Sequence, residues 1–395
     1  MARGSPAYIQ PALLIWARQS AGLLNLEEVA RKTEFPLESL VAWESGKERP
    51  SISQLRKLGD VYKRPLAVFF LPEPPAGFDA QREFRRLAGV TPQSESPELR
   101  LALRTALYRR EVAKEIYERL GDPLPSSIAA AHPTEDAEAV GIRVRQLLGI
   151  TWETQLGWGD AYAALRGWRA AIENLGVLVF QTGDVELREM RGTSIPHGPI
   201  PVILLNNADA PHGRIFTLLH EFTHILLFNG GHQTSPMEGQ QLPEDQRLEQ
   251  VSNRFAAATL MPRREFLTEL SHYASATEGD EDALHRFANQ IKVSPEAILR
   301  RLLGLRRVTL SLYRQKRRGW QAQSWYSFPQ SSGGPPIETR VLSSAGRSFV
   351  SLVLEGYQRN AVSSSAVSDY LGIQLKFLAR ISAALTPAPG SLGNL

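Results

Sequence analysis

The sequence predicts an α+β protein that is mostly helical, with a five-helix N-terminal part, a central domain holding a small sheet, and a small C-terminal helical unit. Three observations predict it. Apolar residues recur at helical spacing along most of the chain. Two short runs, 177–180 and 200–205, are rich in β-branched residues and leucine and bounded by Gly, Pro and Asn, as strands are. Two stretches dense in Pro, Gly and Ser, at 71–77 and 323–337, break the pattern and mark boundaries. The expected domains are therefore 1–76, 77–322 and 323–395.

Composition narrows the function classes. A chain of 395 residues can bury two or three cores, and 43% hydrophobic with 22% charged residues is ordinary for a globular protein. The absence of cysteine excludes disulfide scaffolds, thiolate catalysis and Cys-ligated zinc, so a metal here must be held by His and carboxylate. With 45 Lys and Arg against 41 Asp and Glu, the balance of +4 neither requires nor excludes nucleic acid. Residues 1–10 lack the apolar run of a signal peptide, and nowhere do enough apolar residues follow one another to span a membrane. The cytoplasm is the expected location.

In chain order, apolar positions at helical spacing include Leu13, Trp16 and Ala17, then Leu26, Val29 and Ala30, then Leu40 and Val41, then Leu55, Leu58 and Val61. Gly46 ends one of these helices and Pro50-Ser51 starts the next. A charged helix over 97–120 carries a stripe through Leu99, Leu103, Leu107, Ile116 and Leu120. Further helices are expected over 134–148 and 162–175, and after the two strands over 214–229, 244–260 and 263–271. The most basic stretch is 298–320, with Arg300, Arg301, Arg306, Arg307, Arg314, Lys316, Arg317 and Arg318. It reads as a solvated helix face, or as a surface that steers DNA or an acidic partner. Trp320 and Trp325 flank it, either as core residues or as stacking platforms. A strand at 338–342, three small helices at 345–358, 363–371 and 374–385, and a disordered tail from 387 complete the expectation.

The residues that point to chemistry are His220-Glu221-Phe222-Thr223-His224. Residues four apart on a helix lie one turn above each other, so both imidazoles can reach one ion while Glu221 stands beside them as a base for a metal-activated water. The apolar flanks Ile215, Phe216, Leu218, Leu219 and Ile225, Leu226, Leu227 suit a buried helix. A third protein ligand is needed, leaving one position open. Glu249, on a helix whose apolar face includes Val251, Phe255 and Leu260, is the first candidate, and His232 competes. Six residues after the second histidine, where an extended motif would place a third, stands Gly230. Asn253, one turn beyond Glu249, could orient His220 or His224 through the ring nitrogen not on the metal.

At these residues the sequence resembles the ImmA/IrrE family of metallopeptidases. The matching text is Arg214-Ile-Phe-Thr-Leu-Leu-His-Glu-Phe-Thr-His-Ile-Leu-Leu, then Glu249-Gln-Val-Ser-Asn-Arg-Phe-Ala-Ala-Ala-Thr-Leu-Met-Pro262, with the strand Pro201-Val-Ile-Leu-Leu-Asn206 before them. The resemblance implies a gluzincin-like peptidase in which His220, His224 and Glu249 hold zinc and Glu221 is the base. It also implies a substrate, a repressor or antitoxin-like protein cut at a defined site in stress responses or mobile elements. The same ligands can hold Mn2+ or Fe2+. Tyr273, His272, His232 and Arg254 are candidates for stabilising the transition state, each with a structural role as the alternative.

Residues 8–70 resemble a Cro/C1-type (Xre-like) helix-turn-helix domain, through Leu26-Glu-Glu-Val-Ala30, Leu37-Glu-Ser-Leu40, Trp43-Glu-Ser-Gly-Lys47 and Arg49-Pro50-Ser51. The resemblance places the helix near 37–43 in the DNA major groove, with Ser39, Lys47 and Arg49 as contacts. Two features pull the other way. The helix opens Phe35-Pro-Leu-Glu38 where groove readers carry polar or basic residues, and 8–70 hold nine Lys and Arg against seven Asp and Glu. The module therefore contacts DNA or docks a protein partner. Two functions follow: a zinc endopeptidase fused to a helix-turn-helix module that cuts a repressor or antitoxin, or a DNA-binding regulator or antitoxin whose peptidase domain is a sensor. A homodimer is compatible with both.

Overall fold

The computed structural model describes residues 6–75, 96–125, 128–232, 243–322 and 334–385. They fall into two compact units, the first ending at Thr105 and the second holding the described residues after it. The protein is mostly helical with one three-stranded sheet, an α+β fold. The expected linkers at 71–77 and 323–337, the tail from 387, and Trp325 lie wholly or partly outside the described residues.

The first unit contains α1 (Pro11–Ser20), α2 (Leu26–Thr33), α3 (Leu37–Glu44), α4 (Ile52–Tyr62) and a 3-10 turn at Leu66–Phe70, so the fifth expected helix is 3-10 rather than α. Local chemistry sets the boundaries. Asn25 accepts from the Glu28 amide to start α2, and Ser51 with Gln54 forms a reciprocal capping box at α4. Glu34 in the left-handed region ends α2, and α3 begins after Pro36. Leu14, Leu23, Val29, Leu40, Leu55 and Phe69 fill the core. Arg18 crosses it, pairing with Glu44 at 2.8 Å and donating to the carbonyls of Leu23 and Leu24.

The helix α5 (Pro97–Leu120) gives its first turns to this unit and the rest to the second. There follow α6 (Ala137–Leu148), a short α7 (Trp152–Gly157), α8 (Ala161–Glu173), and the strands β1 (Leu178–Thr182), β2 (Gly192–Ile195) and β3 (Val202–Asn206). The sheet order is β1-β3-β2. β1 runs parallel to β3 with Leu178 opposite Val202, and β2 runs antiparallel with Gly192 opposite Leu205. All five residues of β3 are buried, which explains its continuous apolar run. The chain continues through α9 (Pro211–Asn229), α10 (Pro243–Leu260), α11 (Arg263–Leu270), a 3-10 segment Ser271–Glu278, α12 (Glu281–Ile291), α13 (Pro295–Gly304) and α14 (Leu310–Ala322).

The C-terminal helices are α15 (Ile337–Ala345), α16 (Arg347–Gln358), α17 (Ser364–Leu371) and, after a 3-10 turn, α18 (Leu378–Leu385). The strand expected at 338–342 is thus helix. Val341, Leu342 and Ala345, at helical spacing, are its buried residues. These helices share the second unit with the sheet. Arg169 on α8 shows why: its guanidinium meets Glu173 at 2.9 Å, the Val179 carbonyl of β1, and the Ser343 carbonyl of α15. No described helix is long and apolar enough to cross a membrane.

Candidate metal centre

The central helix α9 starts at Pro211, whose missing N–H costs nothing in the first turn. The loop before it is fixed from both sides. Buried Asn206 donates to the carbonyls of Val185 and Met190, and Asp209 receives Arg191 at 2.9 Å and the Ala210 amide at 2.9 Å. Ile215, Leu218, Leu219, Phe222, Ile225 and Leu226 are all buried, so the helix is apolar around most of its girth and lies within the core.

His220 and His224 occupy the remaining stripe. Their Nε2 atoms stand 3.1 Å apart. Glu249 on α10 reaches across with Oε2 at 3.2 Å from His220 Nε2 and Oε1 at 3.2 Å from His224 Nε2. The three ligand atoms lie within 4.8 Å of one another, the one such group of His, Asp and Glu among the described residues. Separations of 3.1–3.2 Å match the edge of a tetrahedron with metal bonds of about 2.0–2.1 Å, which is about 3.3 Å. Two neutral imidazoles cannot comfortably aim their lone pairs at each other without a proton or a cation between them. The donor set therefore fits a divalent cation.

Electrostatics agree. Burial alone would lower the pKa of His220, but Glu249 and Glu221 outweigh it and raise the value. Burial alone would raise the Glu249 carboxyl, yet the two histidines hold it far below the ordinary carboxylate range. Anionic Glu249 is thus ready for a cation. Glu221, next along the helix, is buried and close enough to act electrostatically on His220.

Asn253 stands one turn beyond Glu249 on α10. Its Nδ2 donates to the Glu249 carbonyl at 2.8 Å, and its side chain favours the charged form of His220. No hydrogen bond of normal length and angle reaches His220 Nδ1, which is buried. Phe216 stacks on the His220 ring with centroids 6.5 Å apart.

The segment 172–303 carries the sheet and all three donors. It matches the family model of the IrrE N-terminal-like domain, Peptidase_M78. That family model describes a metallopeptidase-type domain, the kind that the motif resembles. No curated protein matches the chain. Within the Peptidase_M78 match, the other polar candidates stand elsewhere. His232 packs its ring edge-on against His132 at 4.4 Å, outside the donor group. Tyr273 stacks on Phe287 with centroids 5.1 Å apart. His272 is exposed, and so is Arg254, which helical rotation carries about 140° away from Glu249. Ser39, Lys47 and Arg49 belong to the first unit: Ser39 is half-buried on α3, Lys47 is exposed, and the Arg49 guanidinium lies 4.4 Å above the Tyr8 ring.

Support for α10 comes from residues whose role spacing did not reveal. Gly141 on α6 lets the two helices touch: an added Cβ would lie 2.6 Å from the Ala258 carbonyl carbon and 2.8 Å from the Thr259 nitrogen. Arg145 donates to the Thr259 carbonyl at 3.0 Å and to Gln155 at 2.7 Å, while Gln155 donates to the carbonyls of Leu260 and Ile291. A glycine inside the helical pattern of 134–148 was the available sign of close approach.

Proposed function

We propose that this protein is a zinc-dependent endopeptidase that cuts a repressor or antitoxin-like protein, with His220, His224 and Glu249 as the metal ligands. The observation that carries the reading is the convergence of those donor atoms at tetrahedral-edge distances beside the buried carboxylate of Glu221. The same donors accept Mn2+ or Fe2+, so zinc rests on the ligand types and on the Peptidase_M78 match. Bound there, the ion supplies a Lewis acid for the scissile carbonyl and brings the pKa of a water to about 7.

The protein's own groups do the rest. Glu221 takes a proton from the attacking water as its oxygen bonds to the carbonyl carbon, and delivers that proton to the departing amine nitrogen as the C–N bond breaks. Asn253, one turn beyond Glu249 and bonded to its backbone carbonyl, is assigned to positioning that ligand. The core around α9 keeps the histidines in register.

The N-terminal unit is assigned to recruiting the substrate. What supports this is the outward face of α3, where Leu37 is 39% and Val41 49% exposed beside Glu38. Groove readers place Arg, Asn, Gln or Ser on such a face, whereas apolar anchors suit a protein partner.

The test is metal content by mass spectrometry, followed by cleavage of the repressor or antitoxin encoded beside the protein. The expected outcome is near one zinc per chain, lost in His220→Ala/Glu249→Ala. In Glu221→Gln zinc is retained while cleavage falls by about 10^2–10^4. Absence of metal after zinc addition would overturn the reading. A zinc-loaded protein that binds its partner and leaves it full length would replace it with the sensor function.

A further inference from the structure

The charge of this chain is unevenly placed. Between Glu296 and Glu338 there is no acidic residue, although eight of the 45 Lys and Arg residues fall there. The remainder of the chain carries 37 basic against 41 acidic residues, so the whole positive excess resides in this short stretch. Its described part is the pair α13 and α14 with the turn between them.

The structure separates these basic residues by direction. Arg301 is buried and pairs with Glu138 at 2.7 Å. Lys316 reaches Glu281 at 2.8 Å, Arg317 lies 3.5 Å from Glu296, and Arg300 donates to the Tyr313 hydroxyl at 3.3 Å. Arg306, Arg307, Arg314 and Arg318 are exposed, and among the described residues they have no ion-pair partner. On α14, Tyr313 and Trp320 turn toward the protein, and Arg314 and Arg318 are exposed one turn apart. Arg306, in the left-handed region, and Arg307 are exposed in the turn between α13 and α14.

We propose that this arginine face binds the phosphate backbone of duplex DNA. Arg306, Arg307, Arg314 and Arg318, exposed and without an ion-pair partner among the described residues, form a phosphate footprint beside Glu281 and Glu296, which are already paired with Lys316 and Arg317, and Arg matches phosphate oxygens with paired donors. Exposed Thr309, Ser311 and Gln315 add the short polar donors common at such contacts. An acidic protein partner is the poorer match, because protein interfaces rely on apolar and aromatic anchors and Leu310 is the one large exposed apolar residue on this face. A single strand is poorer too. It needs aromatic platforms, and Trp320 is turned inward with its Nε1 donating to Glu281 at 3.1 Å. The contact carries no sequence information by itself. It would hold the protein on DNA, where repressors sit.

The proposal does not depend on the peptidase reading, since binding is measured without turnover. The experiment is fluorescence anisotropy of a labelled 20-base-pair duplex of arbitrary sequence with the full chain across a salt series. Wild type is compared with Arg306→Gln/Arg307→Gln/Arg314→Gln/Arg318→Gln and with Lys47→Gln/Arg49→Gln. In the fourfold variant the slope of log affinity against log salt should shrink by about 3.6, at about 0.9 per lost phosphate contact. Its affinity at low salt should fall at least tenfold, with its melting temperature unchanged. The N-terminal variant should keep most of the wild-type slope. Wild-type binding by the fourfold variant, or loss of binding in the N-terminal variant alone, would overturn the proposal. So would tighter binding to the single strand, or competition by poly-glutamate as effective as by unlabelled DNA.

Discussion

The helix pairs α9/α10 and α13/α14 use charge in opposite ways. In the first, two histidines and a glutamate, each partly buried, stand beside a core of Leu, Ile and Phe and pair with one another. In the second, Arg306, Arg307, Arg314 and Arg318 stand outside, where water and salt screen them and no ion pair among the described residues holds them. A buried charged site gains precision and electrostatic strength from its low-dielectric surroundings, and it has to be assembled by the whole fold. An exposed charged face needs only that the helix exist. Substitutions should therefore reach the first through stability and the second through salt-dependent binding alone.

The largest expected effect that sharpens this contrast is Phe222→Ala. The side chain is 1% exposed between the two histidines, and its loss should destabilise the second unit by about 3–5 kcal/mol in calorimetry and release metal with it. Asn253→Ala should leave the fold in place while lowering zinc affinity about 10–100-fold in a chelator competition. Gly141→Ala tests how far the site depends on distant packing. The added methyl group has no room against α10, so a loss of about 1–3 kcal/mol is expected, with weaker zinc binding as Glu249 shifts. The smallest effect belongs to Arg314→Gln/Arg318→Gln, which should change thermal stability by no more than about 0.5 kcal/mol. If that pair proved as destabilising as Phe222→Ala, the distinction between the two helix pairs would fail.

The donors were legible in the sequence because the information is local. His220 and His224 share a helix at a spacing that fixes their faces, and Glu249 sits on the next strongly periodic segment. Most helices and both apolar strands could be placed for the same reason. β2 could not: Gly192-Thr-Ser-Ile195 is four residues long with one large apolar side chain, and it becomes a strand because β3 offers it a partner. The strand expected at 338–342 failed in the reverse sense. Pro336 starts a helix there and the buried residues follow a helical face. Gln155, Arg145 and Gly141 support the site through contacts more than a hundred residues away in sequence, a distance no local pattern spans.

The candidate ligands also have a consequence for how long the protein lasts. Two donors belong to one helix and the third to another, so a cation held by all three is a removable rivet between α9 and α10. By mass action it would add to folding stability in proportion to the logarithm of free metal over Kd, about 4 kcal/mol at a thousandfold excess. When metal grows scarce the rivet is withdrawn, and the unriveted chain becomes the better target for degradation. Metal supply would then set the number of these molecules as well as the rate at which each one works.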